Sequence, residues 1–384
     1  MKTKILITGA DNSPGGVLTY INLLVAKCEH RCFEFHVTVS TLDVAGKTYL
    51  HPLMTPHLVP KTYHLWSLLS QALQLRKILK IKNIQVFHMH TLRAGFLGCV
   101  ASLGLPITKI YTGHSWRYPQ KEGALTKKIF FLLEKFTCQL SDKITFSTEH
   151  DKQLGLANGL VTSDKSVVIR TRIEPCEKRR YAGDELALIR VELGVPGNAL
   201  LIGTVALMSA RKDPLTFVRI AARVINSLPD AYFLWVGDGE MRKQATELAA
   251  KLNIQDRFII TGMIEPRRIK SFLLNMNVYL CTSKNEGVPL TLLEAQACGL
   301  PIVCSRYEGS GVDEVIQDGI TGYTFETTDD AAAAEHLLSI IRNPTETGRM
   351  IEIMKKEFQA VHADPALMAK EFENIYKPRA QKIE

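Results

Sequence analysis

What most constrains this chain is an alternation. Short apolar or β-branched runs, KILIT (4–8), FHVTVS (35–40), VFHMH (86–90), KIYTG (109–113) and KITFST (143–148), are separated by stretches of helical period such as VLTYINLLVAKC, LWSLLSQALQLRKILKIK and ALTKKIFFLLEKFTCQL. Such runs suit strands covered on both faces, with the helices as crossovers, so the pattern predicts a parallel sheet. The pattern restarts after the polar segment RTRIEPCEKRRYAGDE (170–185), with LLIGTVA, AYFLWVG, RFIITG, VYLCTS and PIVCS as strands. A chain of 384 residues has room for two such domains. The expected boundaries are 1–170 and 171–365, with a last helix over 366–384 crossing back to the first domain.

Composition excludes several classes. With 46% hydrophobic and 22% charged residues the chain is globular rather than disordered. Its longest apolar runs, IFFLLE and ALLIGTVALM, fall short of the ~20 residues of a spanning helix, and MKTKILITG lacks a signal-peptide pattern. A cytoplasmic protein without a membrane span is expected. The eight cysteines (28, 32, 99, 138, 176, 281, 298, 304) stand among apolar neighbours with no CxxC pair, which suits buried thiols better than disulfides or zinc. Charge is uneven: residues 1–170 carry 21 Lys and Arg against 10 Asp and Glu, residues 171–384 carry 26 against 29. An anionic partner is therefore expected for the first half. No nucleic-acid module accompanies that charge, which leaves an acidic membrane surface.

Open parallel sheets bind ligands at the carboxyl ends of their strands, where loops lead into helix N-termini. One such junction is KNEGVPLTLLEAQACGLP (284–301). Pro289 suits the first helical position and Gly299 the C-terminal stop. The N–H groups of Val288, Leu290 and Thr291 would then face outward at the positive end of the helix dipole, an anion site that Gly287 keeps open. Glu286 precedes this terminus and Glu294 lies about a turn and a half inside. On the residues alone they are either acceptors for sugar hydroxyls or a solvated loop acid and a surface helix residue.

Residues 282–323, TSKNEGVPLTLLEAQACGLPIVCSRYEGSGVDEVIQDGITGY, resemble the signature of the retaining GT-B glycosyltransferases of the large family 4 group. Glu286 and Glu294 match its Glu-x7-Glu motif, Ala295 to Pro301 its A-x-A-x-G-x-P run, and Glu314 and Asp318–Gly322 its trailing elements. The resemblance implies an α/β GT-B fold, two doubly wound Rossmann-like domains whose parallel sheets face an interdomain cleft. The first domain would bind acceptor and the second the nucleotide-sugar donor.

Residue roles follow from the same resemblance. Glu286 would contact donor-sugar hydroxyls and Glu294 the ribose. SPGGVLTYINLL resembles the N-terminal glycine loop, placing Gly15 and Gly16 near the phosphates and acceptor, although a GG after a strand is otherwise a plain turn. HMHTLRAGFLG, with His88 and His90, and YTGHSWRY, with His114 and Arg117, resemble the histidine-bearing strand ends of polysaccharide-building members. His114 takes the active-site position, and His90 and Arg117 fall on the acceptor side. IGTVALMSARKDP places Lys212 as the cation for the leaving diphosphate. Many relatives have an arginine five residues earlier, where this chain has Leu207. Arg211 would point away from Lys212 in an extended segment.

The expected activity is therefore a retaining hexosyl-type transfer from a nucleotide-diphosphate sugar to an acceptor hydroxyl. His114, Lys212 and Glu286 would be catalytic. Gly15, Gly16, Lys212, Glu286, Gly287, Val288, Pro289, Leu290 and Glu294 would hold the donor. No Asp-x-Asp pair stands where a metal would be needed, so no metal or other cofactor is expected. A lipid-linked glycan of cell-surface polysaccharide or glycolipid assembly is the expected acceptor, with peripheral association at the inner face of the cell membrane. In 123–143, Lys127, Lys128 and Lys135 stand beside Phe130, Phe131, Leu132, Leu133 and Phe136; most of the aromatics are expected to pack on the first sheet and only the lysines to face lipid. Two rivals stay open: a sugar-nucleotide epimerase of similar fold and a non-catalytic subunit with a degenerate site. A dinucleotide oxidoreductase fits poorly, because GADNSPGG is not G-x-G-x-x-G.

Overall fold

A computed structural model of the chain describes residues 2–9, 15–40, 49–60, 64–119, 123–176, 183–284, 286–307 and 310–377. The chain forms two compact units, one from Met1–Arg172 with Asp364–Glu384 and one from Ile173–Ala363. Parts of the glycine loop (10–14) and of the polar segment after 170 (177–182) lie outside the described residues.

The first unit runs β1 (Thr3–Thr8), α1 (Gly16–Lys27), β2 (Phe33–Val39), β3 (Met54–Leu58), α2 (Leu65–Ile81), β4 (Val86–His90), α3 (Leu92–Ser102), β5 (Thr108–Gly113), α4 (Ala124–Leu140), β6 (Lys143–Phe146), α5 (Glu149–Ala157) and β7 (Ser166–Val168). Its sheet has the order β3-β2-β1-β4-β5-β6-β7, every pairing parallel. Successive residues of β1 serve opposite faces: Ile5 and Ile7 join Leu18, Ile21 and Phe35, while Leu6 joins Leu75, Phe87 and Tyr111. Both faces are covered, which is why these strands read as unbroken apolar runs. The final helix of the chain, named α13 below, belongs to the first of these two layers through Met368, Phe372 and Tyr376.

The second unit runs α6 (Gly183–Glu192), β8 (Leu201–Val205), α7 (Pro214–Ser227), β9 (Tyr232–Val236), α8 (Arg242–Lys251), β10 (Phe258–Ile260), α9 (Ile269–Asn275), β11 (Val278–Cys281), α10 (Leu290–Ala297), β12 (Ile302–Arg306), β13 (Tyr323–Glu326), α11 (Asp330–Arg342) and α12 (Pro344–Val361); α13 (Pro365–Tyr376) follows. Its sheet is β10-β9-β8-β11-β12-β13, again parallel throughout. Trp235, Phe217, Phe233 and Leu337 lie in one buried cluster.

Three strands were not anticipated: β3, β7 and β13. Each lies at a sheet edge. An edge strand need not be apolar on both sides, and β3 even contains Pro56, tolerated where one side of the ladder is unpaired.

In both units the strand order reverses once, between β1 and β4 and between β8 and β11. At such a switch point the two connecting chains leave in opposite directions and open a crevice at the carboxyl edge. Among the described residues, Gly9 and the chain from 91 onward leave there in the first unit, and 206–213 and 282–284 in the second.

Candidate active site

At the switch point of the second unit, β8 leads into a tight turn. Lys212 N and Asp213 N both bond Ser209 O, at 2.9 and 3.2 Å. Asp213 sits at φ 46° and caps α7, accepting from Thr216 N at 3.3 Å and Thr216 Oγ1 at 2.5 Å. Pro214 supplies the first helical position. The end of β11 is tied to this turn: Thr282 Oγ1 donates to Lys212 O at 2.8 Å, and Lys284 N donates to Arg211 O at 2.7 Å.

This turn brings Arg211 and Lys212 onto one carboxylate. Lys212 Nζ lies 2.5 Å from Glu286 Oε2 and Arg211 Nη2 lies 2.7 Å from Oε1. The expectation that Arg211 points away is thereby corrected. Adjacent side chains diverge on an extended strand, but 209–212 is a turn and its side chains converge. Glu286 is only 11% exposed and Lys212 16%. Burial would push the Glu286 carboxyl up, but the charges and hydrogen bonds of Lys212 and Arg211 outweigh it and hold the group below the usual range. Tyr307, beyond β12, faces the Glu286 N–H with its hydroxyl. The sequence reading missed this tyrosine, which no local motif marks.

Helix α10 begins immediately afterwards. Pro289 caps it from outside, at φ −60° and ψ 128°, rather than filling its first turn. No side chain caps this end, and the first N–H groups of a helix have no partner within it, so those of Leu290 and Thr291 are available to an anion. Gly287 and Val288 form the bend leading in. At the other end Gly299 takes φ 72°, with Leu300 N on Ala295 O at 3.1 Å and Gly299 N on Gln296 O at 2.9 Å, a left-handed C-terminal stop. Glu294 is neither a surface residue nor paired within this cluster. Burial raises its carboxyl to about 7, opposed by the charge of Lys270 on α9. The trailing motif is structural at Asp318, whose Oδ1 accepts from Thr324 N at 2.7 Å and so fastens the loop to β13.

The first unit presents histidines at its own switch point. His90 ends β4, and His114 follows β5. His90 Nδ1 and His114 Nε2 are 3.0 Å apart with stacked rings, and Tyr20 of α1 meets His114 edge-on at 5.2 Å. His88 bonds Tyr376 Oη at 2.7 Å and Thr112 Oγ1 at 2.6 Å. Burial holds the imidazole of His88 down to about 3 and that of His114 to about 4, and pushes His90 well below its ordinary value. All three are neutral at pH 7. His90, expected on the acceptor side, is fully buried and spends its Nδ1 on His114. Gly9 permits this crowding: at φ 105°, any Cβ there would stand 1.9 Å from His90 O.

Arg117 is half-buried, and its N–H donates to Glu134 Oε1 at 3.2 Å. Glu134 is a fully buried acid of α4 that also accepts from Tyr111 Oη at 3.0 Å. Burial lifts it to about 7, against the bonds from Arg117 and Tyr111. It went unnoticed in the sequence, although a lone acid in IFFLLEKF is a usable signal. Gly15 and Gly16 open α1. Gly15 is extended at φ −160°, and a Cβ on Gly16 would meet nothing within 4 Å. Gly16 is not demanded by the packing of the described residues.

Helix α4 departs from expectation too. Phe131 and Phe136 do pack against the core, but Leu125, Ile129 and Leu132 are exposed, one stripe beside Lys128. Among the described residues no helix is long and apolar enough to cross a membrane, and no three His, Cys, Asp or Glu side chains are grouped to hold a metal ion. Six of the eight cysteines are buried, Cys32 is exposed and Cys176 half-buried, and all are free thiols.

The family described as glycosyl transferases group 1 matches residues 187–357, and Glycosyltransferase Family 4 matches residues 14–175. The UDP-Gal:alpha-D-GlcNAc-diphosphoundecaprenol alpha-1,3-galactosyltransferase of Escherichia coli is 26% identical over 266 residues, 68% of this chain and 67% of that enzyme. The N-acetyl-alpha-D-glucosaminyl L-malate synthase of Bacillus anthracis is 26% identical over 210 residues, and the match spans about half of it, 54%, and 53% of this chain. Among solved structures, HepE of Anabaena in complex with UDP-glucose superposes with a TM-score of 0.81 at 17% identity, covering 97% of this chain and 98% of that one. At that identity the likeness establishes the fold.

Proposed function

This chain belongs to the GT-B glycosyltransferases, and from that membership we propose that it transfers a sugar from a nucleoside-diphosphate donor to an acceptor hydroxyl with retention at the anomeric carbon. The observation that carries the reading is the buried Glu286 held by Lys212 and Arg211 directly ahead of the uncapped end of α10. Leaving-group departure builds negative charge on a diphosphate. A fixed cation, Lys212, and helix N–H dipoles stabilise that charge without reorganising, so the site needs no divalent ion. A carboxylate beside them accepts from sugar hydroxyls. Glu294 and the end of α10 complete the donor side; His114, steadied by His90, and Arg117 belong to the acceptor-binding unit.

The UDP-glucose bound to HepE supports a uridine diphosphate sugar as the first donor to try. The acceptor named for the E. coli relative supports a lipid-linked glycan. The exposed stripe and lysines of α4 support peripheral docking on an anionic membrane.

Purified protein incubated with nucleotide sugars and a diphosphate-lipid acceptor should release free nucleotide only when acceptor is present, and rates should survive chelation by EDTA. Glu286→Ala and Lys212→Ala should each lose about 10²–10³-fold in turnover, as removal of a charge-stabilising donor does elsewhere. Full activity in either variant would refute the assignment. Inversion of the product anomer would refute retention, and epimerised donor without transfer would favour the epimerase.

A further inference from the structure

We propose that Arg211 and Lys212 together form a two-cation seat for the donor diphosphate, and that Glu286 is the anion that fills this seat until the donor displaces it. The inference rests on the reading of the second unit as the donor-binding half. It adds a residue to that reading, Arg211, and a second task for Glu286.

The first argument is charge and geometry. A diphosphate leaving group carries more than one negative charge, and Lys212 supplies one positive. The exposed residue at 207 is a leucine and supplies none. Arg211 and Lys212 approach one oxygen each of the same carboxylate, at 2.7 and 2.5 Å. Neighbouring oxygens of a phosphate present a similar pair of acceptors, and a guanidinium fork matches them as well as it matches a carboxylate.

The second argument is burial. Glu286 and Lys212 are both shielded from water. Removing the anion from a buried cation without replacing it is strongly unfavourable. Exchange of one anion for another avoids that cost, so donor arrival and carboxylate release are a single event.

The third argument is the contrast with Asp213, the other acid of the cluster. Its carboxylate is committed to Thr216 N, Thr216 Oγ1 and Lys284 Nζ, the last at 2.7 Å, and it caps α7. The oxygens of Glu286 bond only Arg211 and Lys212 among the described residues. Once displaced, Glu286 has both oxygens free for sugar hydroxyls. The seat itself keeps its shape, because the turn that carries both cations is fastened to the end of β11 through Thr282 and Lys284.

Calorimetric titration of wild type, Arg211→Ala, Arg211→Lys and Glu286→Gln with UDP, GDP, ADP and inorganic pyrophosphate tests this, with circular dichroism melts to confirm folding. Arg211→Ala should weaken the preferred diphosphate about tenfold or more, the range for a lost hydrogen bond to a charged group. Arg211→Lys should recover part of that loss. Glu286→Gln should bind the same diphosphate and pyrophosphate several-fold more tightly while sugar transfer falls, a split that a merely supporting carboxylate would not produce. Unchanged binding in Arg211→Ala, or equal or weaker binding in Glu286→Gln, overturns the seat while leaving the donor reading intact. Binding of no nucleoside diphosphate by folded wild type overturns both.

Discussion

At the scale of single residues, the structure separates glycines the fold requires from one it does not. Gly9 must be glycine, because of its φ of 105° and the His90 carbonyl beside it. Gly16 has open space around its α-carbon and opens a helix. Gly16→Ala should therefore raise stability by about 0.4–1 kcal/mol through the unfolded chain, visible as a higher urea midpoint. Gly16→Phe should leave that midpoint near wild type and raise the KM for substrate, if the glycine serves ligand approach; an unchanged KM would return Gly15–Gly16 to the status of an ordinary turn. Two non-glycine residues beside the candidate sites also sit at positive φ, Thr91 at 73° and Asp213 at 46°. For β-branched Thr91 that conformation is strained, and such strain tends to gather at functional positions. The positions of Glu286, Lys212 and His114 at strand ends were legible from motif spacing. Their partners were not. Arg211 could be placed only by knowing that 209–212 turns, while Tyr20, Glu134 and Tyr307 reach their neighbours from distant segments that no local pattern connects.

At the scale of elements, the internal strands could be read because burial on both faces demands unbroken apolar runs, and of the four edge strands only β10, itself apolar as FII, could be read, because an edge escapes that demand. Helix α4 shows the same limit. Phe131 and Phe136 both pack although about 140° of helix separates them, and the spacing did not show that Leu125, Ile129 and Leu132 stay uncovered. If that stripe and its lysines meet lipid, Leu125→Gln with Ile129→Gln should cut co-flotation with anionic vesicles by about tenfold, since each buried methylene contributes roughly 0.8 kcal/mol. The melting temperature should barely move, as both side chains are exposed. Flotation equal to wild type, or independent of anionic lipid, would remove the membrane from the proposal.

At the scale of the whole molecule, the buried titrating groups set how the chain answers pH. His88, His90 and His114 in the first unit are held below their ordinary 6.5 by burial. The folded unit binds fewer protons there than the unfolded chain, so this stabilisation is complete above about 6.5 and is lost as pH falls toward the values near 4 and 3. Glu134 in the same unit and Glu294 in the other are raised from 4.5 to about 7. Their sign is opposite: stability is greatest below about 4.5 and declines as pH rises through 7. Burial lowers the imidazoles of His36, His51 and His57 as well, so six groups against one make the first unit the acid-sensitive one. Hydrogen exchange at pH 7 and pH 5, corrected for intrinsic rates, should show protection lost in β4 and β5 and kept or gained around α10; the reverse order would contradict these assignments.

The return of the chain to its first unit has a consequence in time. Tyr376 bonds a histidine 288 residues earlier, and Phe372 covers the same layer. A ribosome that has just made Arg172 has supplied every strand of that sheet but not the segment that seals it. At ~5–20 residues per second, the nascent sheet waits roughly 10–40 s with one greasy side open. Chaperone dependence during synthesis, rather than instability of the finished protein, is where the cost of that arrangement should surface.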